Sequence, residues 1–288
     1  MDSIELRACA KLNLSLDVTG KRPDGFHEMK MVMTSIALCD ELTLRLTDDG
    51  AVRARCSLPY VPTDESNLAC SAARLFLDRT GHSECGAELD IRKRIPVGAG
   101  MAGGSTDAAA VLRGLNELFG MPLDAGALAE LGGELGSDVP YCLAGGTVLA
   151  TGRGEVLSPL PPLPDCAVVV CKPGFPISTP MLFSRLDLKK LRCRPDTEAL
   201  CAALAEGDLP RLARRMYNIF EDVLPRRCAA VGEIKARLLD LGALGAVMTG
   251  TGSAVFGLFD DEAAARRAFD ALRPDYRDCF LTRPASGV

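Results

Sequence analysis

The stretch RIPVGAGMAGGSTDAAAVL, residues 94–112, joins a glycine-rich turn to an alanine-rich segment of helical composition. Glycine has no Cβ, so such a turn lets the backbone curl closely around a ligand. Its glycines are Gly98, Gly100, Gly103 and Gly104. The helix predicted to begin near Ser105 presents unpaired N–H groups and about half a positive charge at its first turn. The stretch therefore predicts an anion site, with a phosphate compound as the expected ligand.

The same turn contains G-x-G-x-x-G at residues 98–103, the fingerprint of dinucleotide-binding proteins. That fingerprint needs a buried apolar strand before it and an acidic ribose ligand about 20 residues after it. Here residues 88–95 alternate polar and apolar, and Asp124 has the setting of a helix N-cap. No lysine follows Gly104, as a Walker A loop would require. The context argues against nicotinamide, flavin and Walker A sites, while a purely structural turn stays open.

Composition excludes several classes of partner. The chain has 288 residues, enough for two modest domains, with 48% hydrophobic and 25% charged residues, as in an ordinary soluble protein. Its net charge of −5 argues against a nucleic-acid partner, because binding to a phosphate backbone needs a basic face. No segment approaches the roughly 18 to 20 uninterrupted apolar residues of a membrane span, and the N-terminus lacks an apolar signal region. We therefore expect a cytoplasmic protein without membrane contacts.

The cysteines do not indicate a metal site. Twelve are scattered along the chain without a C-x-x-C pair, and the histidines are His27 and His82. These spacings do not provide a zinc site, so no metal ligands are predicted. The cysteines are expected to be reduced, small core residues.

Periodicity predicts the secondary structure. Residues 8–19 alternate as a half-buried strand, with apolar side chains at the even positions and polar ones, including Lys11 and Asn13, at the odd positions. Further strands are predicted at 34–39, 42–46, 52–56, 88–95 and 145–150, and helices at 68–79, 105–119 and 125–135. After a proline-rich linker at 158–164, the pattern predicts strands at 167–170, on both sides of 249–253 and at 278–282, and helices at 197–224, 231–241 and 262–272. This second half is a split βαβ arrangement over an antiparallel sheet.

Three separated blocks resemble the motifs of the GHMP kinases, a family named for galactose, homoserine, mevalonate and phosphomevalonate kinases. The blocks are AKLN at 10–13, PVGAGMAGGST at 96–106 and MTGTGS at 248–253. The resemblance implies an α+β, two-domain GHMP kinase fold. Residues 1–157 would form a ribosomal-protein-S5-like α/β domain with the ATP loop, and residues 158–288 a ferredoxin-like split βαβ domain. It also implies ATP, Mg²⁺ and a small-molecule acceptor; we expect a monomer or a weak homodimer.

Longer blocks are similar to those GHMP kinases that phosphorylate the C2 hydroxyl of 4-diphosphocytidyl-2-C-methyl-D-erythritol, in the non-mevalonate isoprenoid pathway. They are AKLNLSLDVTGKRPDGFHEM, DESNLACSAARL, RIPVGAGMAGGSTDAA, LGSDVPYCLAGG and GFPISTPMLF, in the family's order. Three departures are mild: Met101-Ala102 replaces the usual Leu-Gly, Thr106 a common serine and Phe26 a common tyrosine. Ala102 leaves the curvature of the loop open, whereas Thr106 keeps its hydroxyl.

The resemblance assigns roles to single residues. Asp138 matches the catalytic aspartate, and Lys11 the lysine that pairs with it and keeps it ionised. Asn67 would lie near the adenine of ATP, and the phosphate loop would consist of Pro96, Val97, Gly98, Ala99, Gly100, Met101, Ala102, Gly103, Gly104, Ser105 and Thr106. By composition alone, Asp138 would be a turn or cap residue and Lys11 an exposed lysine. A mechanism in which the two groups mainly orient the hydroxyl, with Mg²⁺ and loop dipoles lowering the barrier, also stays open.

The acceptor side follows the same resemblance. Phe26 and Phe183 would sandwich a cytosine base, His27 would hydrogen-bond its edge, and Asn13 would contact the substrate beside Lys11. Ordinary core packing is an equal interpretation of Phe183. Two other functions stay open: a GHMP kinase acting on homoserine or a sugar, and a nucleotide-binding regulator without turnover.

Overall fold

A computed structural model describes residues 2–191 and 193–285 of the chain. The strands in these ranges are β1 (Ser3–Lys21), β2 (His27–Thr47), β3 (Val52–Cys56), β4 (Gly86–Arg92), β5 (Thr147–Thr151), β6 (Val156–Pro159), β7 (Ala167–Lys172), β8 (Tyr217–Asn218), β9 (Gly245–Met248), β10 (Val255–Phe259) and β11 (Asp278–Thr282). The α-helices are α1 (Leu68–Arg79), α2 (Gly103–Leu118), α3 (Ala125–Leu135), α4 (Val139–Ala144), α5 (Thr179–Arg185), α6 (Thr197–Ala205), α7 (Leu209–Ala213), α8 (Ala229–Asp240) and α9 (Glu262–Leu272). Two short 3₁₀ helices, η1 (Ile219–Val223) and η2 (Arg226–Cys228), precede α8.

The first sheet is built around the long antiparallel pair of β1 and β2. Its order is β3-β4-β2-β1-β8, and β5, with β6 beside it, pairs with the first half of β2. The two strands predicted at 34–39 and 42–46 are one continuous strand. The polar Asp40 between them does not interrupt β2, because it is fully buried and bonded to Lys93 and two backbone N–H groups.

Strand β1 does not present one apolar face along its length. Its register with β2 shifts between Cys9 and Lys11 and again between Asn13 and Ser15. A shift of this kind turns the following side chains to the other face of the sheet. The even-numbered apolar residues accordingly divide between two cores. Ala8, Leu16 and Val18 pack with α1 and α2, whereas Ala10, Leu12 and Leu14 pack with the second sheet. The single apolar face predicted at 8–19 is therefore wrong.

The second sheet is antiparallel in the order β11-β7-β10-β9. Helices α8 and α9 contribute apolar side chains to the same core as one face of this sheet. The opposite face packs against the middle of β1, α6 and residues of the glycine-rich loop. The predicted split βαβ order is confirmed, and the loop is held between the two sheets.

Helix boundaries follow local capping. The bounds of α1, α3 and α9 are those predicted, because Asn67, Asp124 and Asp261 accept hydrogen bonds from the first turns of these helices. The helix predicted over 197–224 is instead α6 and α7, followed by β8 and η1. Helix α7 ends at Ala213, and in β8 the Asn218 side chain donates to the carbonyl oxygens of Met248 and Gly250 across the molecule. The sequence pattern does not predict α4 or α5.

The linker region connects the sheets. Strand β6 pairs with β5 in the first sheet, and β7 begins the second. The domain boundary between 157 and 158 stays a prediction. Across residues 2–191 and 193–285, none of the helices is both long and apolar enough to cross a membrane.

Candidate active site

A cavity of about 870 Å³ lies where β1, the glycine-rich loop and the loop between β9 and β10 meet. Cavities of this size accommodate ligands the size of a nucleotide or larger. The structure brings most of the predicted site residues to its wall: Lys11, Phe26, His27, Asn67, residues 96–105, Asp138 and Phe183. Asn13 and Thr106 do not line it.

The glycine-rich loop is held in place by backbone contacts with the second sheet. The Thr249 hydroxyl donates to the carbonyl oxygen of Gly100 at 3.3 Å, and the Ala254 N–H donates to that of Ala99 at 3.2 Å. Gly100 has a φ of 75°, and a Cβ there would lie 2.2 Å from the carbonyl oxygen of Thr249. Such a distance is not tolerated between backbone atoms and a side chain, so only glycine fits this position.

The first turn of α2 is open towards the cavity. The helix begins at Gly103, two residues before the predicted start. Ala102 occupies the N-cap with φ 58° and ψ 29°, and it makes no side-chain capping bond. The first N–H groups of an α-helix have no partner within the helix, and here Gly103, Gly104 and Ser105 line the cavity. An arrangement of this kind can hold an anion through N–H donors and the positive end of a helix dipole.

Lys11 and Asp138 face the same cavity from different elements. Lys11 is 4% exposed, and its ammonium donates to Asn13 Oδ1 at 2.5 Å. Asp138 occupies the N-cap position of α4 but makes no capping bond, so the helix does not use its carboxylate. The two charges make no ion pair within 4.0 Å in the described part of the chain, although both act electrostatically on the Cys142 thiol. Lys11 and Asp138 thus line one cavity without direct contact, and their pairing stays a prediction.

Two of the predicted site residues are engaged in the scaffold instead. Asn13 is fully buried; its side chain holds Lys11, and its N–H donates to the Thr249 hydroxyl at 3.1 Å. Thr106 is 3% exposed, and its hydroxyl donates to the carbonyl oxygen of Cys9 at 2.9 Å, which ties α2 to β1. Both side chains thus bond to the frame that supports the cavity, and the contacts of Asn13 with the substrate and of Thr106 with ATP stay predictions.

Asn67 lies on the cavity wall with both ends of its amide occupied. Its Oδ1 caps α1 by accepting from the Ala69 N–H at 3.0 Å, and its Nδ2 donates to the Pro62 carbonyl oxygen at 2.7 Å. It therefore joins α1 to the segment at 60–62, which also lines the cavity. Its contact with adenine stays a prediction.

An aromatic cluster forms another part of the wall. The His27 ring stacks on Phe183 with centroids 4.5 Å apart, and Phe183 meets Phe220 edge-on at 4.9 Å. Phe26 is 51% exposed, and the Arg153 guanidinium lies 5.0 Å from its ring centroid. Burial lowers the pKa of His27, and the charge of Lys21 acts in the same direction. His27 is therefore neutral near pH 7, with one ring nitrogen as a donor and the other as an acceptor.

A buried ionic cluster lies beneath α2, and the sequence pattern does not predict it. The Lys93 ammonium binds Asp40, Asp107 at 2.6 Å and the carbonyl oxygen of Gly103 at 3.3 Å. Asp107 Oδ1 is buried without a hydrogen-bond partner. Burial raises the pKa of Asp107 to about 7, against the attraction of Lys93 and with added repulsion from Asp40. The sequence feature that could have indicated this cluster is an aspartate inside an alanine-rich helix.

The sequence pattern also does not predict several other residues of the cavity wall, which include Tyr60, Val61, Pro62, Arg153, Thr179 and Thr251.

The fold and the site together define the class of the protein as a GHMP-type small-molecule kinase. The family model described as "GHMP kinases N terminal domain" matches residues 67–146, and that described as "GHMP kinases C terminal" matches residues 200–278. The first match contains the glycine-rich loop and Asp138, and the second contains α8, β9, β10 and α9.

Full-length relatives narrow this class. A 4-diphosphocytidyl-2-C-methyl-D-erythritol kinase of Acetivibrio thermocellus is 44% identical, covering 98% of this chain and 99% of the relative. The kinase of the same name from Lachnoclostridium phytofermentans is 43% identical over 98% of each chain. A crystal structure of a 4-(cytidine 5'-diphospho)-2C-methyl-D-erythritol kinase superposes with a TM-score of 0.83 and 35% identity, over 98% of this chain and 100% of that one. This chain belongs to the GHMP kinases and, within them, to the family of 4-diphosphocytidyl-2-C-methyl-D-erythritol kinases, which confirms the predicted family and α+β fold.

Proposed function

We propose that this protein transfers the γ-phosphoryl group of ATP to the C2 hydroxyl of 4-diphosphocytidyl-2-C-methyl-D-erythritol, forming the 2-phosphate and ADP. The observation that carries the proposal is the uncapped N-terminus of α2 in one cavity with Lys11 and the uncommitted carboxylate of Asp138. Identity of 44% along the full length of a relative with that name supports the particular substrate.

The ATP phosphates bind at the first turn of α2. The residues of that turn line the cavity, their N–H groups have no partner within the helix, and the helix dipole favours negative charge. Because the loop is bonded to the second sheet through Gly100 and Ala99, these donors are already oriented before ATP binds. Fixed donors of this kind stabilise the charge that develops on the transferred phosphoryl group.

Asp138 takes the proton of the attacking hydroxyl. Its carboxylate is half-buried on the cavity wall and is free of the capping bond that its position would otherwise favour. A general base in such a position contributes about 10²- to 10⁴-fold to the rate. Lys11 places a positive charge beside the forming alkoxide, and Asn13 holds that ammonium in place from within β1.

The aromatic cluster recognises the cytosine end of the acceptor. Phe26 offers an exposed ring for stacking, which is worth about 1–3 kcal/mol per base. The neutral imidazole of His27 supplies a donor and an acceptor for the edge of the base. Phe183 stacks on His27, and its predicted place on the second side of the base stays a prediction.

Mg²⁺ accompanies ATP in this proposal. Phosphate oxygens, waters and one or two protein oxygens would hold the ion. Ser105 and Asp138 provide a hydroxyl and a carboxylate oxygen on the cavity wall, so the donor set fits the ion. When bound, the ion neutralises charge on the β- and γ-phosphates. A cytoplasmic location, the lack of nucleic-acid and membrane partners, and a monomeric or weakly dimeric state stay predictions.

Substitution of the base tests the mechanism. We expect Asp138→Asn to lower kcat by about 10²- to 10⁴-fold while KM for both substrates changes little, because the amide keeps the shape but cannot take a proton. Asp165→Asn is the matched control, since Asp165 is an exposed aspartate that does not line the cavity. Steady-state formation of ADP measures both variants.

A panel of acceptors tests the substrate. ADP is expected to form with 4-diphosphocytidyl-2-C-methyl-D-erythritol and not with homoserine or galactose. Turnover of homoserine or galactose alone would replace the proposal by another GHMP kinase activity, and ATP binding without turnover of any acceptor would indicate a regulator. If the Asp138→Asn variant keeps the wild-type kcat, Asp138 is not the general base.

A further inference from the structure

Two cysteines lie face to face between β1 and β2, outside the wall of the cavity. Cys9 and Cys39 are directly opposite in the antiparallel register, and their Sγ atoms are 2.9 Å apart. Directly opposite residues of antiparallel strands have Cα atoms about 4.5–5.5 Å apart, which falls within the roughly 4.4–6.8 Å that a disulfide bond spans. The strands therefore already hold the two sulfurs in a geometry that a disulfide bond can use.

The charge around the pair favours a thiolate. Arg7, an exposed residue of β1, donates from its guanidinium to Cys39 Sγ at 3.2 Å. The hydrogen bond with Cys9 and the charge of Arg7 lower the pKa of Cys39 to about 6, whereas the same contact raises the pKa of Cys9. When Cys39 is protonated, its thiol also donates to the carbonyl oxygen of Ala37 at 3.0 Å. The two sulfurs thus share one proton near neutral pH, and a thiolate is the reactive form of cysteine.

A second cross-strand pair provides an internal comparison. Cys171 of β7 and Cys279 of β11 are also directly opposite in an antiparallel register. Cys171 is fully buried and Cys279 is 8% exposed, whereas Cys9 is partly exposed. Cys39 is itself only 3% exposed, so a small oxidant from solvent reaches the first pair through Cys9, which is more exposed than either cysteine of the second pair.

We propose that Cys9 and Cys39 form a site of reversible oxidation, at which a hydroperoxide converts the two thiols to an intrachain disulfide. The thiolate of the pair attacks the peroxide, the O–O bond breaks, and a sulfenic acid and hydroxide form. The other sulfur then attacks the sulfenyl sulfur, the S–O bond breaks, and water leaves with the remaining proton. With hydrogen peroxide, two thiols and one peroxide give one disulfide and two waters, so the sulfurs lose the two electrons that the peroxide gains.

Peptide mapping of the full-length protein tests the site. The folded chain is treated with one equivalent of hydrogen peroxide at pH 7.5, the remaining thiols are alkylated in denaturant, and the unreduced digest is examined by mass spectrometry. We expect one cross-linked species joining the peptides of Cys9 and Cys39, which dithiothreitol reverses, while Cys171 and Cys279 are recovered alkylated. Recovery of Cys9 and Cys39 as alkylated thiols, or a cross-link between other cysteines instead, would overturn the proposal.

Removal of the Arg7 charge tests the site a second way, through the rate of disulfide formation, with both cysteines in place. Arg7→Met is expected to slow disulfide formation at pH 7.5 by roughly tenfold, because the thiolate fraction falls as the pKa returns towards that of a free cysteine. Arg45→Met is the matched control, since Arg45 is an exposed arginine on β2 that is in register with Ser3, away from the pair. Cys9→Ser should prevent the disulfide and leave a trappable sulfenic acid at Cys39. An Arg7→Met protein that oxidises as fast as Arg45→Met would refute the role of the guanidinium, and the test holds even if Cys9→Ser fails to fold.

Discussion

The contact between the glycine-rich loop and the second sheet makes a quantitative prediction for Gly100→Ala. Gly100 adopts φ 75°, a left-handed conformation that costs about 1–2 kcal/mol for a residue with a Cβ. The added Cβ would also lie 2.2 Å from the carbonyl oxygen of Thr249 and 3.0 Å from the N atom of Gly252. Both are backbone atoms, so the overlap cannot be relieved by turning a side chain.

Relief of this overlap requires the loop and the sheet to separate. The hydrogen bond from the Thr249 hydroxyl to Gly100 and that from Ala254 to Ala99 would lengthen or break. Forced overpacking of this kind costs about 1–3 kcal/mol. Together with the backbone strain, we expect the free energy of unfolding to fall by about 2–5 kcal/mol, a large part of the 5–15 kcal/mol of a typical protein. Each kcal/mol corresponds to roughly 2 °C in Tm for a chain of this size.

Gly120→Ala is the matched control for the cost of placing a Cβ on a left-handed backbone conformation. Gly120 has a φ of 77°, yet no atom lies within 4 Å of a Cβ built there, and it does not line the cavity. It should lose only the roughly 1–2 kcal/mol of left-handed strain and keep normal kinetics. Gly100→Ala should in addition lose on the order of 10²-fold in kcat/KM for ATP, because the N–H donors move by a large fraction of an ångström. Thermal unfolding and initial rates measure both, and equal Tm and equal kcat/KM for ATP in the two variants would refute the close-contact reasoning.

Two further predictions concern the first turns of α2. Ala102→Gly should stabilise the protein by up to about 1 kcal/mol in urea unfolding, since glycine accepts φ 58° without strain. The control is Ala99→Gly, in the same loop but without a positive φ, which should destabilise the protein. A loss of stability in Ala102→Gly would contradict this account. Asp107→Asn tests the raised pKa. The folded-state pKa of about 7 lies above the pKa of an unfolded aspartate, about 3.9. The contribution of Asp107 to stability is therefore fully present below about pH 4 and decreases as the pH rises from about 4 to about 7, by about 1.4 kcal/mol per pH unit. The stability of the wild type relative to Asp107→Asn should fall over this range and level off above it; a difference that does not vary with pH would exclude the shift.

Features encoded within a few residues could be predicted well from the sequence. The bounds of α1, α3 and α9 depend on caps at Asn67, Asp124 and Asp261, each of which bonds within three residues of itself. The glycine-rich loop and its anion-binding character are likewise local. The blocks that resemble the GHMP kinases were sufficient to identify the family, which the full-length relatives confirm.

The placement of side chains around the cavity could not be predicted in the same way. Lys11 is buried there, and not exposed as its strand pattern alone would suggest, because two register shifts turn the middle of β1 relative to its ends. Thr106 is predicted to belong to the phosphate loop, and its hydroxyl bonds the carbonyl oxygen of Cys9, which is 97 residues away in the chain. Lys93 joins Asp40 and Asp107, from two other elements, under α2.

The sequence by itself therefore determined the family, the position of the glycine-rich loop and the bounds of the helices that are capped by a neighbouring residue. Only the tertiary structure decided which face of β1 carries Lys11, which polar residues support the cavity instead of lining it, and that Cys9 meets Cys39. The physical reason is distance along the chain. A cap or a tight turn is decided by neighbours within about four residues, whereas the register of a strand and the partner of a buried charge depend on elements that come together only when the sheets have formed.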